Sequence, residues 1–419
     1  MNASRLRIIV TGLIAQHPTL GGVAWDYLQY AAGLARLGHD VFYFEDSGEW
    51  PYSIDGGPTG DDWVRRDPSE NLVHLQAVLS RHGLGEKWAY RFPLDSRWFG
   101  LTNLKRREVI ASADLLVNVS GTLEHPQQYR AIPHLIYIDS DPVFTQIKLQ
   151  LKENHTAFRE RFEEHDVFFT FGERIPQLDP VRSWHVTRQP ILLDQWRDGL
   201  HGQLYTTVMS WTSYKPLHFK GQEYGQKDVE FGRFIELPSK TSNTLEVALG
   251  GAHHADWEVS QAQLPEPTAA LLRQNPRLIP AELLSRNGWR VVDALHRCGT
   301  PDAYRKYIIS SKAEWSVAKN GYVRGRPGWF SCRSACYLAA GRPVVVQDTG
   351  FALPTGEGIL KFSTLEEAVD AIRGVEGFYP RHARAARSLA EEYFDSEKVL
   401  RELIEVATQR QKETTGAMA

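Results

Sequence analysis

The sequence contains few cysteines and no excess of charge of one sign. Only 3 of its 419 residues are cysteine, which excludes a disulfide framework and leads us to expect a protein of the reducing cytoplasm. Its 48 Lys and Arg residues oppose 51 Asp and Glu residues, giving a formal net charge of −3. This balance gives no electrostatic reason to expect nucleic acid or an anionic membrane as the main partner, and we predict neither.

Long apolar runs are also missing. No run approaches the roughly 18 residues that a membrane span needs. At the N-terminus, Arg5 and Arg7 precede a short apolar run, but Gln16-His17-Pro18 follows in place of a small-residue cleavage site. We therefore interpret this segment as a first buried strand and not as a signal peptide.

Apolar runs alternate with helical patterns along the chain. Strands are predicted over 7–15, 39–45, 113–120, 132–139, 165–172 and 183–191, and then over 204–211, 244–251, 288–295, 313–319, 342–348 and 358–364. Helices are predicted over 25–38, 301–311, 333–340, 365–375, 381–394 and 396–410. Near-continuous apolar strands separated by helices indicate parallel sheets covered on both faces.

The predicted fold class is α/β, with two Rossmann-like, doubly wound parallel-sheet domains facing across a cleft. We place the first domain over 1–195 and the second over 196–385, and we expect the C-terminal helices over 386–419 to pack back toward the first. Residues 212–240, rich in Lys, Gly, Tyr and Gln, show no clear period and are predicted to be a long functional connection.

A polar group of residues opens the helix over 333–340, and another follows the next strand. In open parallel sheets, ligands bind beyond the carboxyl ends of the strands, where helix N-termini offer free N–H groups to a phosphate. Ser331, Arg333 and Ser334 would point at one spot, and the guanidinium suits a phosphate. The polar residues Gln347, Asp348, Thr349 and Gly350 could bond a sugar. Taken singly, each residue also fits an ordinary helix cap, a solvated first turn or a loop.

Two stretches resemble the nucleotide-sugar glycosyltransferases of the GT-B fold. The first stretch, "WFSCRSACYLAAGRPVVVQDTGF" followed by "LPTGEGILKFSTLEEAVDAI", is similar to the donor-sugar region of that family. The second, "TGLIAQHPTLGGVAWDYLQYAAGLARLGHDVFYF", is similar to the family's first strand, loop and helix. The resemblance implies transfer of a sugar from a nucleoside-diphosphate sugar, such as a UDP-sugar, to a hydroxyl of a small-molecule acceptor in the cleft. It implies no cofactor and no metal ion, and we leave a homodimer open.

The departures from the family are specific. Cys336 and Gly328 stand where many retaining members carry a pair of Glu residues, and the histidine signature of the plant-type inverting members is missing as well. This keeps three alternatives open: a nucleotide-sugar epimerase, a phosphorylase, and a sugar- or nucleotide-binding protein without catalysis.

The resemblance also assigns candidate residues in the first domain. His17 stands just after the first strand, where inverting members hold a general base, and Asp139 is the candidate carboxylate partner one strand beyond Asn118. His17 fits a structural loop histidine equally well. Gly22 fits a tight turn near a phosphate. The Asp139-Ser140-Asp141 stretch lies in the acceptor domain, so we do not expect it to bind a metal ion.

In the second domain, further donor contacts are expected around the first strand and the long connection. Trp211 is predicted to stack on a nucleobase, with Thr212 and Ser213 on phosphate. Lys220 and Lys227 are predicted to neutralise the diphosphate, and Lys312 and Glu314 to contact the base or ribose. Each lysine alone also fits a solvated loop.

Overall fold

The computed structural model describes residues 5–53, 65–151, 155–175, 182–197, 199, 201–250, 263–275 and 277–416. Residues 1–4, Gly251 at the end of one expected strand, and residues 417–419 of the expected tail lie outside the described residues. The chain divides into an N-terminal unit (residues 1–172, 177–192 and 393–419) and a C-terminal unit (residues 173–176 and 193–392).

The N-terminal unit contains an eight-stranded sheet of order β4-β3-β2-β1-β5-β6-β7-β8, parallel except between β3 and β4. Its strands are β1 (Arg7–Thr11), β2 (Asp40–Glu45), β3 (Trp88–Arg91), β4 (Trp98–Gly100), β5 (Leu115–Val119), β6 (His134–Asp139), β7 (Val167–Thr170) and β8 (Trp184–Val186). Its helices are α1 (Gly21–Arg36), α2 (Ser69–Ser80), α3 (Asn103–Ser112), α4 (Phe144–Gln150), α5 (Thr156–Glu163) and the last helix of the chain, Ser396–Gly416. The central strands are apolar on both faces because helices cover both, which is what a parallel sheet requires.

The last helix packs on α1 within this unit. A Cβ built at Gly33 of α1 would lie 2.5 Å from Cδ1 of Leu400, so glycine permits this close approach. An isolated parallel bridge joins Ile191, in the segment after β8, to Asp395, the residue before that helix.

The C-terminal unit contains a six-stranded, fully parallel sheet of order β13-β12-β9-β14-β15-β16. Its strands are β9 (Tyr205–Ser210), β12 (Leu245–Gly250), β13 (Arg290–Asp293), β14 (Ala313–Ser316), β15 (Val344–Gln347) and β16 (Ile359–Phe362), and β10 (Leu217–Phe219) pairs with β11 (Gln222–Tyr224) in a separate hairpin. Because strand order reverses at β9, the sheet has the order of a Rossmann fold, with its switch point beside β9.

The helices of this unit cover both faces of the sheet. They are α6 (Lys227–Phe231), α7 (Leu237–Lys240), α8 (Glu266–Gln274), α9 (Pro280–Arg286), α10 (Ala294–Cys298), α11 (Pro301–Ile309), α12 (Asn320–Gly325), α13 (Cys332–Ala339), α14 (Leu365–Gly377) and α15 (Tyr379–Tyr393), so the last helix of the chain is α16. Aromatic residues fill the core, where Trp315 stacks on Phe362 with ring centroids 5.4 Å apart.

The expected α/β architecture with two Rossmann-like sheets is confirmed, and three details differ. The edge strand β4 and its neighbour β3 were not predicted, because they are short and lack a clear apolar pattern. The connection over 212–240 contains the β10–β11 hairpin, α6 and α7. The helix α15 belongs to the C-terminal unit, so the units divide at 392/393 and not at 385/386.

Within the described residues, every helix is too short or too polar to span a membrane.

Candidate functional site

The carboxyl edge of the C-terminal sheet collects the main candidate side chains. The strands β9, β14 and β15 are adjacent and parallel, so their carboxyl ends meet at this edge. The helix α13 precedes β15 and runs antiparallel to it, which brings the N-terminus of α13 to the same edge. This is the position at which ligands bind in open α/β sheets.

The start of α13 has polar groups that its own fold leaves unused. Ser331 occupies the N-cap position, but its side chain accepts no capping hydrogen bond from the helix. Ser334 is only 1% exposed, and its Oγ has no hydrogen-bond partner. Both residues line a small pocket, together with Ser316, Val317, Ala318, Trp329, Phe330, Arg333, Val346, Gln347, Thr349 and Phe351. A buried hydroxyl without a partner beside free helix N–H groups favours a polar or anionic ligand.

Arg333 is held beneath this helix start by two contacts. Its Nε donates to Oε1 of Glu314 at 2.6 Å, and its Nη1 donates to the carbonyl oxygen of Val208 at 2.8 Å. Burial opposes the charge, but the fully buried carboxylate of Glu314 more than offsets it, and the pKa of Arg333 is raised. Arg333 is therefore a fixed cation at the carboxyl edge. Glu314, which we expected on a nucleobase or ribose, instead holds Arg333.

Two lysines contribute further positive charge at this edge. Burial lowers the pKa of Lys227 well below its usual range, and repulsion from Arg333 and Lys319 lowers it further. The side chain of Lys227 makes no hydrogen bond or ion pair with any residue that the structure describes. Lys319 donates to the hydroxyl of Tyr214 at 3.1 Å and lies 4.7 Å from the centre of its ring. Arg333, Lys227 and Lys319 are thus three neighbouring basic side chains, of which Lys227 is charged only below its lowered pKa.

The loop after β15 is stabilised by its own polar side chains. The Gln347 amide donates to Glu230 at 2.6 Å, and its oxygen accepts from the Ala318 N–H at 3.0 Å. The Thr349 hydroxyl donates to the carbonyl oxygen of Trp329. These bonds occupy the atoms that we expected to reach a sugar, so Gln347 and Thr349 brace the loop instead.

Asp348 and Gly350 complete the same loop. One oxygen of Asp348 accepts from the Gly350 N–H at 2.9 Å, and the other accepts from Arg326 at 3.0 Å. These bonds, with the Arg326 and Lys361 charges, hold the pKa of Asp348 below its usual range although burial opposes this. Gly350 has φ +86°, a left-handed conformation that favours glycine.

Three expected donor residues lie elsewhere. Trp211 is 1% exposed and packs in the aromatic core against Phe231, so it cannot offer a face to a nucleobase. Lys312 precedes β14 at its amino end, where its Nζ bonds Glu376 at 2.7 Å. Lys220 is exposed at the turn of the β10–β11 hairpin. Lys220 and Lys312 were assigned from their positions along a loop and a strand. Position in the sequence does not show which edge of the sheet a side chain reaches.

Thr212 and Ser213 follow β9 at the carboxyl edge and are at least partly exposed. They are the two expected phosphate contacts on this segment that remain available to a ligand.

The loop between β1 and α1 positions His17 in the N-terminal unit. The His17 ring stacks on Tyr52 with centroids 4.9 Å apart, and burial lowers the pKa of His17 to about 4. The expected bond between His17 and Asp139 is not formed. Asp139 accepts from Thr145 at 2.7 Å and from Gln146 at 2.9 Å, and burial raises its pKa to about 6.

Asn118, the other residue considered beside His17, bonds Thr11 at 3.0 Å and His165 at 2.9 Å. Gly22 lies in the first turn of α1, the helix that follows the His17 loop. Among the described residues, no carboxylate hydrogen-bonds the His17 ring, so a base at this position would be neutral and unassisted.

Glu45, which the sequence did not single out, fixes the His17 loop. It lies at the end of β2, is 0% exposed, and accepts from the N–H groups of Ala15 at 2.9 Å and Gln16 at 2.6 Å. Tyr43 donates to the same carboxylate at 3.0 Å. Burial raises the pKa of Glu45 to about 7, against the lowering effect of these bonds. The sequence feature that could have identified Glu45 is a carboxylate at the end of a buried apolar strand.

Both units together have the fold of the GT-B glycosyltransferases. An α-glucosyltransferase in complex with UDP-glucose and DNA containing an abasic site aligns with a TM-score of 0.56 at 12% identity, over 97% of this chain and 100% of that one. HepE from Anabaena, in complex with UDP-glucose, aligns with a TM-score of 0.55 at 10% identity, over 97% and 100%. No family model and no curated protein sequence matches the chain. Identities this low establish the fold alone.

Proposed function

We propose that the protein is a glycosyltransferase that takes its sugar from a nucleoside-diphosphate sugar of the UDP type. The observation that carries this proposal is Lys227, which has no hydrogen-bond or ion-pair partner among the described residues, near Arg333 and Lys319 at the carboxyl edge of a Rossmann-type sheet. The two solved structures of the same fold bind UDP-glucose, which supports the same class of donor.

In this proposal the diphosphate contacts the N–H groups of the first turn of α13 on one side and the basic side chains of Arg333, Lys227 and Lys319 on the other. Negative charge grows on the diphosphate as the glycosidic bond breaks, so positive groups fixed beforehand stabilise the transition state. Arg333 is fixed by Glu314, and the hydroxyls of Ser331 and Ser334 with the helix N–H groups contact phosphate or sugar oxygens. We propose that these groups bind the diphosphate without a metal ion or another cofactor.

We further propose that the N-terminal unit binds the acceptor and that a small-molecule hydroxyl is the nucleophile. His17 is presented on a loop held by Glu45, at the carboxyl end of β1. With a pKa of about 4, His17 is neutral at physiological pH and can accept a hydrogen bond from a hydroxyl, although it is a weak base. One structure of the same fold contains DNA, so duplex DNA belongs among the acceptors tested.

The test is release of UDP from UDP-glucose by the purified chain, with a panel of hydroxyl-bearing small molecules and with duplex DNA. Lys227→Met is expected to lower nucleotide affinity, whereas Lys220→Met on the exposed hairpin turn is the matched control and leaves it unchanged. A chelator arm tests the metal-free proposal. Nucleotide binding without turnover on any acceptor would instead favour a binding protein, and an altered sugar without transfer would favour an epimerase.

A further inference from the structure

A second concavity of the C-terminal unit has chemistry that the proposed transfer does not use. It lies along the outer face of α11, has a volume of about 570 Å³, and none of the candidate donor residues lines it. Ser310 lies four residues after Lys306 and three after Tyr307, so its side chain is a neighbour of both on the helix surface. Arg297 of α10 and Arg197, from the segment before β9, complete the concavity.

The walls of this concavity are strongly cationic. Arg197, Arg297, Arg305 and Lys306 all line it, and none of its lining residues in the described part of the chain is acidic. Among the residues that the structure describes, none of these four side chains forms an ion pair, and Arg305 donates only to the carbonyl oxygen of Gln195 at 2.8 Å.

Two other exposed cations of the same unit are paired. Arg373 bonds Asp370 at 3.0 Å, and Arg381 bonds Glu357. In a chain of net charge −3, four unpaired cations around one recess form a local positive field, and a concave wall focuses such a field on a bound anion.

We infer that this recess, the α11 recess, binds a small phosphate-bearing anion. Three of the four cations are arginines, whose planar forks match phosphate oxygens in pairs. Arg297 is placed over the wall by Tyr307, with its guanidinium carbon 6.0 Å from the ring centre. The volume falls within the range of small-ligand sites, about 300–1,000 Å³. A recess of this volume on one helix face suits a small anion better than an extended duplex.

The site is separate from the donor diphosphate site, and the inference holds whether or not the chain transfers sugars. The experiment titrates the full chain with inorganic tripolyphosphate and, in a second arm, with glucose 6-phosphate, by calorimetry at low salt. The first probe represents free phosphate chains and the second a phosphorylated metabolite. Arg297→Gln/Lys306→Gln is the test variant. Arg373→Gln/Arg384→Gln removes the same charge from exposed positions of the same unit and is the control.

We expect saturable binding of at least one probe that weakens at least tenfold in the test variant and is unchanged in the control. Lys227→Met should retain this binding, and the test variant should retain UDP binding. The inference is overturned if neither probe binds, if both double variants weaken binding equally, or if binding is lost only in Lys227→Met. Preferential, length-dependent binding of duplex DNA by the same four cations would also overturn it, in favour of a nucleic-acid surface.

Discussion

Arg333 of α13 and Glu314 of β14 form a buried ion pair, with 2.6 Å between Nε and Oε1. Glu314 is 0% exposed and its second oxygen has no hydrogen-bond partner among the described residues, so Arg333 is its hydrogen-bonded counter-charge. The pair fixes both the helix start and the guanidinium before any ligand arrives. Arg333 is therefore structural as well as a candidate ligand contact.

Arg333→Ala is expected to lower the free energy of unfolding by about 3–5 kcal/mol, because it leaves a buried carboxylate without a partner. Chemical denaturation measures this loss. Arg333→Met/Glu314→Gln removes both charges and should recover most of the stability while nucleotide affinity remains reduced. If the double variant is as unstable as Arg333→Ala, the unpaired carboxylate is not the cause.

Lys227 should take up a proton when a diphosphate binds. Burial lowers its pKa first, and Arg333 and Lys319 lower it further. Between that lowered pKa and the ordinary value of 10.5, the folded chain holds Lys227 neutral while the unfolded chain protonates it, so stability rises with pH in this window. A bound diphosphate favours the charged amine and reverses the shift.

Calorimetry of UDP binding at about pH 9 in buffers of different ionisation enthalpy measures this uptake. The native chain should show heats that depend on the buffer, and Lys227→Met should not. Loss of the lysine should also weaken binding by about 1.5–3 kcal/mol. Lys220→Met, on the exposed hairpin turn, should behave as the native chain; equal buffer dependence in all three proteins contradicts the proposal.

Trp211 is expected to affect stability and not nucleotide recognition. Its ring is 1% exposed and lies in the core of the C-terminal unit. Trp211→Ala should therefore cost about 3–5 kcal/mol of unfolding free energy, the usual range for a large core aromatic. The milder Trp211→Phe should bind UDP with native affinity. A folded Trp211→Phe that loses nucleotide affinity would restore the stacking role.

Most of the parallel strands and the helix predicted over 333–340 were readable from the sequence, because buried parallel strands are apolar throughout and the helices between them carry a clear period. Side-chain partners were not readable. Gln347 and Thr349 look like ligand contacts in a polar loop, but Glu230 and Trp329, far away in sequence, occupy their polar atoms. Pairing across the fold decides whether a polar group is free, and one chain read alone carries little information about it.

The same limit explains Lys312 and Glu45. Lys312 and Glu314 are two residues apart, yet Lys312 precedes β14 at its amino end and bonds Glu376, while Glu314 lies in β14 and pairs with Arg333. Glu45 holds the His17 loop by accepting hydrogen bonds from the backbone N–H groups of Gln16 and Ala15, which lie 29 and 30 residues earlier in the chain. Such backbone partners leave no residue-type pattern in the sequence.

Glu45 should make the N-terminal unit less stable as pH rises from about 4.5 to about 7. Its pKa is about 7 in the folded chain against 4.5 for an ordinary Glu, so the folded state binds more protons than the unfolded state in this window. Tyr43 and Tyr90 are the titratable groups that face it, and neither is a cation. Charging the buried carboxylate therefore lowers the free energy of unfolding, by about 3 kcal/mol over the full window.

Glu45→Gln removes that titration. Unfolding of the native chain and the variant, followed at several pH values between 4.5 and 8, should give a difference curve that changes by about this amount. Asp139→Asn is the matched variant: because burial raises the pKa of Asp139 to about 6, its difference curve should level off at a lower pH. The transfer rate should fall in Glu45→Gln because the amide keeps only one acceptor oxygen, so one of the Ala15 and Gln16 N–H groups loses its bond and the His17 loop is held less firmly. A flat difference curve for Glu45→Gln would mean that Glu45 is already ionised in the folded chain at the lowest pH of the series, so that its protonation does not affect the stability of the loop.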